Sequence, residues 1–222
     1  MIKNVQFIVN RKAGPVSGLL MKPAGAQALL VLAHGAGAGM RHRFMEDVTE
    51  RLARGGVATL RYQFPYMERH RKRPDPQSIL TDTVRAAVAD AGKHAGPLPL
   101  FAGGKSMGGR MTSLAAANEP LGGVRGLVFF GFPLHAAGRP SMERGEHLTD
   151  IRIPMLFLQG SRDPLADLEL LQPLCRRLGR RAELFVVEGG DHSFHMLKSS
   201  GESDDQILDR VIDRTLSWIY SH

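Results

Sequence analysis

A single cysteine, Cys175, stands in a chain of 222 residues, so no intramolecular disulfide can staple the fold. Long apolar stretches are also missing. The longest, Ala28 to Ala33, is far short of the ~18–20 residues a helix needs to cross a bilayer. Residues 1–12 alternate apolar and polar side chains and lack the apolar centre of a secretory signal, so a reducing cytoplasm is the expected setting. The 25 glycines and 13 prolines are spread between apolar runs, which excludes collagen-like and low-complexity architectures and reads as frequent turns. No internal repeat and no domain boundary is visible.

What the chain does have is material for a core. Hydrophobic residues make up 43% and charged residues 23%. At this length a single globular domain over 1–222 is expected, one able to bury roughly 70–75% of its unfolded surface. Cys175 shares a helical stripe with Leu171, Leu174 and Leu178 and reads as core filler. Basic residues outnumber acidic ones by 29 to 22, a net charge of +7, which raises the question of nucleic acid or an acidic ligand. Distribution decides more than total. Arg61, Arg69, Arg71, Lys72 and Arg73 form one cluster, and Arg176, Arg177, Arg180 and Arg181 form a second. The second falls at a helix end, where cations suit the dipole, so a solvated surface is its expected meaning.

Short apolar runs alternate with helical stripes along the whole chain, the pattern of an α/β fold with a mostly parallel sheet covered on both faces. Eight strands are expected: Val5–Val9, Val16–Leu20, Ala28–Ala33, Val57–Arg61, Leu98–Ala102, Gly126–Phe130, Pro154–Leu158 and Ala182–Val187. The first two flank Lys12-Ala13-Gly14-Pro15 and read as an antiparallel hairpin. Helices are expected around Phe44 to Leu52, Leu80 to Ala91, after Ser106, along the Leu171 stripe, and from Ile207 to Ile219. In such sheets ligands lie beyond the carboxyl ends of the strands, so chemistry should follow each strand.

Gly104-Lys105-Ser106-Met107-Gly108 is a G-x-S-x-G with a strand before it and a helix after it. That spacing suits a tight strand-to-helix turn, in which glycines remove colliding side chains and the serine hydroxyl stands exposed at the helix amino terminus. A phosphate-loop reading of Gly104-Lys105-Ser106 fails, because its first glycine would fall at Pro99. Gly35-Ala-Gly37-Ala-Gly39 likewise lacks the last glycine of a dinucleotide fingerprint, where Met40 stands. A serine nucleophile needs a histidine to take its proton and a carboxylate to orient that histidine, in the chain order serine, acid, histidine. Asp163 follows the strand ending at Leu158, with Asp167 as its competitor. His192 follows the last strand, with His195 as runner-up. The N–H of Met107 and that of Ala36, in His34-Gly35-Ala36-Gly37, are the expected oxyanion donors, with Gly35 as the alternative and His34 as a loop brace. Phe64, Tyr66, Phe132, Pro133 and Phe194 follow strand ends and are the candidate acyl-pocket residues, against an equal expectation that they are core.

These motifs, His34-Gly-Ala-Gly, Gly-Lys-Ser106-Met-Gly-Gly, Gly-Ser-Arg-Asp163-Pro and Gly-Asp-His192-Ser-Phe, resemble the alpha/beta-hydrolase superfamily across nearly the whole chain. Arg61-Tyr-Gln-Phe-Pro-Tyr66 and Arg71-Lys-Arg-Pro-Asp75 resemble the small family that includes testis-expressed protein thirty and the hydrolase-like domain of a histone acetyltransferase complex subunit. That family is related to the dienelactone hydrolases, which typically carry cysteine where this chain has Ser106. The resemblance implies hydrolase chemistry. The reading is a serine hydrolase without a cap domain, cleaving an ester, thioester or lactone with Ser106, His192 and Asp163 and needing no metal or organic cofactor. Its expected partner is a small acyl substrate; Arg69, Arg71, Lys72 and Arg73 read first as a solvated basic face, with steering of an anionic substrate as the alternative, while membrane and nucleic acid are not expected and oligomeric state is not legible. The rival from another class is a binding module that keeps the fold and contacts acidic protein or nucleic acid through its basic segments.

Overall fold

The computed structural model describes residues 2–222. Eight strands form one sheet: β1 (Ile2–Ile8), β2 (Pro15–Met21), β3 (Ala28–Ala33), β4 (Val57–Tyr62), β5 (Leu100–Lys105), β6 (Val124–Phe130), β7 (Met155–Gly160) and β8 (Ala182–Val187). Their order is β1-β2-β4-β3-β5-β6-β7-β8. β1 and β2 form the expected antiparallel hairpin, β2 pairs antiparallel with β4, and β4 through β8 are parallel. β3, β4, β5 and β7 are buried along their whole lengths, as strands covered on both faces must be.

Six α-helices accompany the sheet among the described residues: α1 (Arg43–Arg54), α2 (Pro65–Glu68), α3 (Gln77–Ala95), α4 (Met107–Asn118), α5 (Leu168–Leu178) and α6 (Asp204–Tyr220). Val84, Ala87 and Ala91 of α3, Met111 and Ala115 of α4, and Leu171, Leu174 and Cys175 of α5 pack on one face. Met45, Val48 and Leu52 of α1 pack on the other with Ile207, Val211 and Trp218 of α6. Arg51 ties α1 to α6 by contacts of 2.7 Å to both Asp205 and Asp209. Cys175 is 7% exposed, the core position its stripe implied, and burial pushes its thiol up to about 12. No helix among the described residues is long and apolar enough to cross a membrane. The connection from β6 to β7 carries only a 3₁₀ segment, Glu143–Asp150, so no cap domain is inserted there.

One boundary differs instructively. The ladder of β5 runs on through Gly103 and Gly104 to Lys105, where the sequence suggested that the strand ends at Ala102. Glycine weakens a strand on statistical grounds, but here it is required by proximity. A Cβ on Gly103 would lie 1.9 Å from the Val128 carbonyl oxygen. Gly103→Ala is therefore expected to destabilise the protein by at least about 2 kcal/mol in urea unfolding. Gly122→Ala is its control, since nothing lies within 4 Å of the added Cβ, and it should stay within about 0.5 kcal/mol of wild type.

Candidate active site

Gly104 and Gly108 allow β5 to turn directly into α4. A Cβ on either would come within 2.5 Å of the Ala33 carbonyl oxygen at the end of β3. Ser106, between them, is held at φ 52°, ψ −119°, a left-handed conformation that a non-glycine residue rarely adopts. Its N–H donates to the Phe130 carbonyl at 3.1 Å, and its side chain is half-buried at the start of α4.

Three strand ends converge on that hydroxyl. His192 Nε2 lies 2.8 Å from Ser106 Oγ, and His192 Nδ1 lies 2.6 Å from Asp163 Oδ2. A carboxylate only accepts, so the imidazole proton sits on Nδ1 and Nε2 is left to accept from the serine hydroxyl. The Asp163 side chain is fully buried; it also accepts from the Leu165 N–H at 2.8 Å and from the Gln159 amide. Gln159 in turn accepts from the Phe132 N–H at 2.9 Å, which ties the ends of β6 and β7 together. The competitors do other work. Asp167 caps α5 by accepting from the Glu169 N–H, and His195 is exposed and pairs with Asp204 at 2.7 Å. The neighbouring Asp191 accepts from the Ser193 and His195 N–H groups.

Met107 is the first residue of α4, so its N–H belongs to the unsatisfied first turn of the helix beside Ser106. Ala36 is exposed in the loop after β3, and a Cβ on its neighbour Gly35 would lie 3.7 Å from Ser106 Cβ. The loop is braced by the segment after β4. Phe64 N–H donates to His34 Nε2 at 3.1 Å, Met40 N–H to Gln63 Oε1 at 2.8 Å, Gly37 N–H to the Tyr66 hydroxyl at 3.0 Å, and Arg61 to the Met40 carbonyl at 3.2 Å. His34 is a brace as expected. Burial holds it neutral by lowering its pKa from 6.5 to about 4, against the raising effect of its contact with the Gly35 carbonyl.

The acyl-pocket expectation needs correction. Phe132, Phe64 and Tyr66 are wholly buried in the core, and Phe132 packs on Phe129 and Phe157 at centroid distances of 5.4 and 5.7 Å. Strand ends in a two-faced sheet must themselves be covered, and these rings turn inward to do so. Phe194 is 2% exposed, yet with Phe44 and Leu208 it lines a cavity of about 390 Å³ beside the His192 turn. Two participants escaped the sequence reading. Gln159 is a fully buried polar side chain closing an apolar strand, and Lys105 is 8% exposed inside the Gly104–Gly108 turn. A polar residue closing an otherwise apolar strand was the available signal for Gln159; Lys105 offered none, because the expected strand stopped at Ala102. Among the described residues no group of three or more metal-ligating side chains is assembled.

The profile of the alpha/beta hydrolase domain family matches residues 26–220. A protein of Mycobacterium tuberculosis, provisionally named a phosphoribosyl transferase, is 27% identical over 217 residues, covering 94% of this chain. The chain spans only 44% of that relative's length. Among solved structures, a dienelactone hydrolase from Anabaena variabilis superposes with a TM-score of 0.79 at 21% identity, covering 100% of this chain and 98% of that one. An alpha-beta serine hydrolase homologue from Coxiella burnetii gives 0.75 at 19% identity, covering 96% and 97%. A serine hydrolase without a lid, from Xanthomonas campestris, gives 0.70 at 18% identity, covering 96% and 95%. At these identities the structures establish a shared fold.

Two neutral histidines, one buried and one half-buried, give the molecule an acid sensitivity. His147 accompanies His34, lowered from 6.5 to about 4 by burial and then by the nearby Arg110, with its Nε2 2.7 Å from Ser113 Oγ. The unfolded chain takes up protons at about 6.5 that the folded chain refuses until about 4, so stability should fall as pH drops through that window. Urea midpoints measured from pH 7.5 to 4.5 should decline, and His147→Gln should flatten the decline. An unchanged slope in the variant would remove His147 from this account.

Proposed function

The chain belongs to the alpha/beta hydrolase family, and from that premise we propose that it is a serine hydrolase cleaving a carboxylic ester, thioester or lactone through an acyl-enzyme intermediate. The observation that carries this reading is the continuous relay from Ser106 Oγ through His192 to the buried Asp163 carboxylate, at 2.8 and 2.6 Å.

In the proposed reaction Ser106 Oγ attacks the substrate carbonyl while its proton passes to His192 Nε2. Asp163 keeps the Nδ1 proton in place and balances the imidazolium that forms. The oxyanion is received by the N–H groups of Met107 and Ala36; one such donor is typically worth about 10²–10³ in rate. Collapse expels the alcohol, thiol or lactone oxygen, which takes the proton back from His192. Water then repeats the sequence on the acyl-serine, with His192 again as base. Ser106 and His192 are both only half-buried, which suits substrates that approach from solvent without a cap to open.

A fluorophosphonate probe followed by peptide mass analysis tests the assignment. Labelling should occur at Ser106, disappear in Ser106→Ala and slow strongly in His192→Ala. Asp163→Asn should lower ester turnover by up to roughly 10⁴, through the wrong imidazole tautomer. Asp167→Asn should leave turnover nearly unchanged, because asparagine also caps a helix. A folded Ser106→Ala protein with wild-type turnover would refute the nucleophile.

The same reading extends to substrate charge. Arg71, Lys72 and Arg73 are exposed in the segment after β4, at the carboxyl end of the sheet, whereas Arg69 is engaged with backbone carbonyls of the β1–β2 hairpin. These three exposed cations would raise the local concentration of an anionic substrate. Their replacement by Gln should lower kcat/KM for a carboxylate-bearing ester and spare a neutral ester of equal size. The difference should vanish near 1 M salt, where the Debye length is about 3 Å. Loss of polyanion retention with both esters unaffected would instead favour the binding-module reading.

A further inference from the structure

Lys105 has no part in the chemistry above, yet it is buried beside it. Its Nζ donates to the His192 carbonyl oxygen. The same ammonium lies 5.5 Å from the centroid of Phe44 on α1 and 5.6 Å from that of Phe194, two residues beyond His192. The fourth wall is the end of β6, where a Cβ on Gly131 would come within 2.8 Å of Nζ and 3.0 Å of the His192 carbonyl oxygen. Gly131 sits at φ 69°, and a side chain there would be strained and would crowd the amine.

The turn that carries His192 is itself under strain. Phe194 sits at φ 67°, a left-handed conformation unfavourable for a phenylalanine. Local bonds to Asp191 shape the turn, through Ser193 N–H, His195 N–H and Phe194 N–H. None of those bonds joins it to β5. Lys105 is the β5 side chain that does, beside the His192–Ser106 contact itself, and it directly precedes Ser106 in sequence.

We propose that Lys105 is a positioning residue: its ammonium clamps the His192 turn to the nucleophile motif by a charge-assisted hydrogen bond to the His192 carbonyl and by attraction to the Phe44 and Phe194 rings. The proposal rests on the reading of His192 as the base, and its failure is separable from the failure of that reading.

The clamp is protonation-dependent. Burial lowers the Lys105 pKa from 10.5 to about 8, opposed by the charges of Asp163 and Asp191. The charged or titratable groups facing it are Asp163 from the segment after β7, and Asp191 with His192 from the turn after β8. α1 presents Phe44 and the residue after β6 is Gly131, neither of them ionisable, and His34 next to Gly35 is neutral. Above about pH 8 the neutral amine keeps a weak donor but loses its attraction to both rings. The turn should therefore loosen as pH rises through that value.

Two measurements on the full chain decide it. Amide hydrogen exchange over residues 190–196, corrected for the intrinsic pH dependence, should accelerate about 10-fold or more in wild type between pH 6.5 and 9.5, while α3 is unaffected. Lys105→Met keeps the aliphatic stem and removes the amine. It should show the fast exchange already at pH 6.5, with no further change on raising pH, and fluorophosphonate labelling of Ser106 should slow by about 10–100-fold. The wild-type series needs no variant, so misfolding of Lys105→Met cannot hide the answer. Equal exchange in wild type at both pH values overturns the proposal, as does general loosening in the variant that includes α3, which would make Lys105 a core residue only. If wild type is not labelled at Ser106, the hydrolase reading falls while the exchange data still decide the clamp.

Discussion

The close approach of β5 and α4 to the end of β3 is the constraint on which the rest of the site depends. The Ala33 carbonyl oxygen occupies the space that a Cβ on Gly104 or on Gly108 would need. Because both positions lack that atom, the helix begins without an intervening loop, and the residue between them must take a left-handed backbone. A serine in that conformation is strained, and the surrounding packing must offset the strain. The offset is visible in the ladder of β5 with β6, in the bond from the Ser106 N–H to the Phe130 carbonyl, and in Met111 and Ala115 of α4 packed into the core. What the strain secures is a hydroxyl standing clear of the sheet, directly beside the free N–H groups of a helix amino terminus.

Around this junction the polar groups are buried, and buried polar groups cost stability unless they are paired. The molecule solves that by making each connecting segment satisfy another. Gln159 spends its carbonyl on the segment after β6 and its amide on Asp163. Asp163 spends one oxygen on its own turn and the other on His192. The Arg61-to-Tyr66 segment satisfies the loop from His34 to Met40 at four points. Loops that would otherwise be mobile thus inherit the rigidity of a sheet whose central strands are wholly buried.

Much of this was legible in the sequence because the signals were local. Apolar runs reported the strands, and two of them, Ala28–Ala33 and Ala182–Val187, have the expected bounds. Ser106, Asp163 and His192 each follow a strand, and a mostly parallel sheet delivers such residues to one edge. The end of β5 was not legible, because propensity counts glycine against a strand and cannot register the Val128 carbonyl that excludes a side chain. Nor were the inward turns of Phe132 and Tyr66, since following a strand end says nothing of which way a ring folds. Lys105 was invisible for a related reason. A lysine between a glycine and a serine reads as solvated, and only the tertiary placement of Phe44 and Phe194, 61 residues before it and 89 after it, supplies the site that buries it.

The charges around His192 are arranged before any substrate arrives. Asp163 supplies a buried negative charge on the Nδ1 side of the imidazole, and Lys105 supplies a positive one at the backbone of the same residue. In the proposed reaction the imidazole becomes positive as the substrate oxygen becomes negative. The first charge develops against Asp163, and the second against the amino terminus of α4, so each meets a partner already fixed in place. Lys105, facing the carbonyl of His192 rather than its ring, balances the buried carboxylate in the resting state without occupying the position from which the imidazole accepts its proton. A cation at the ring would compete with proton uptake; a cation at the backbone restrains the turn and leaves Nε2 free. In the proposed reaction the repulsion between this ammonium and the imidazolium is offset by the Asp163 carboxylate at Nδ1, on the other side of the ring.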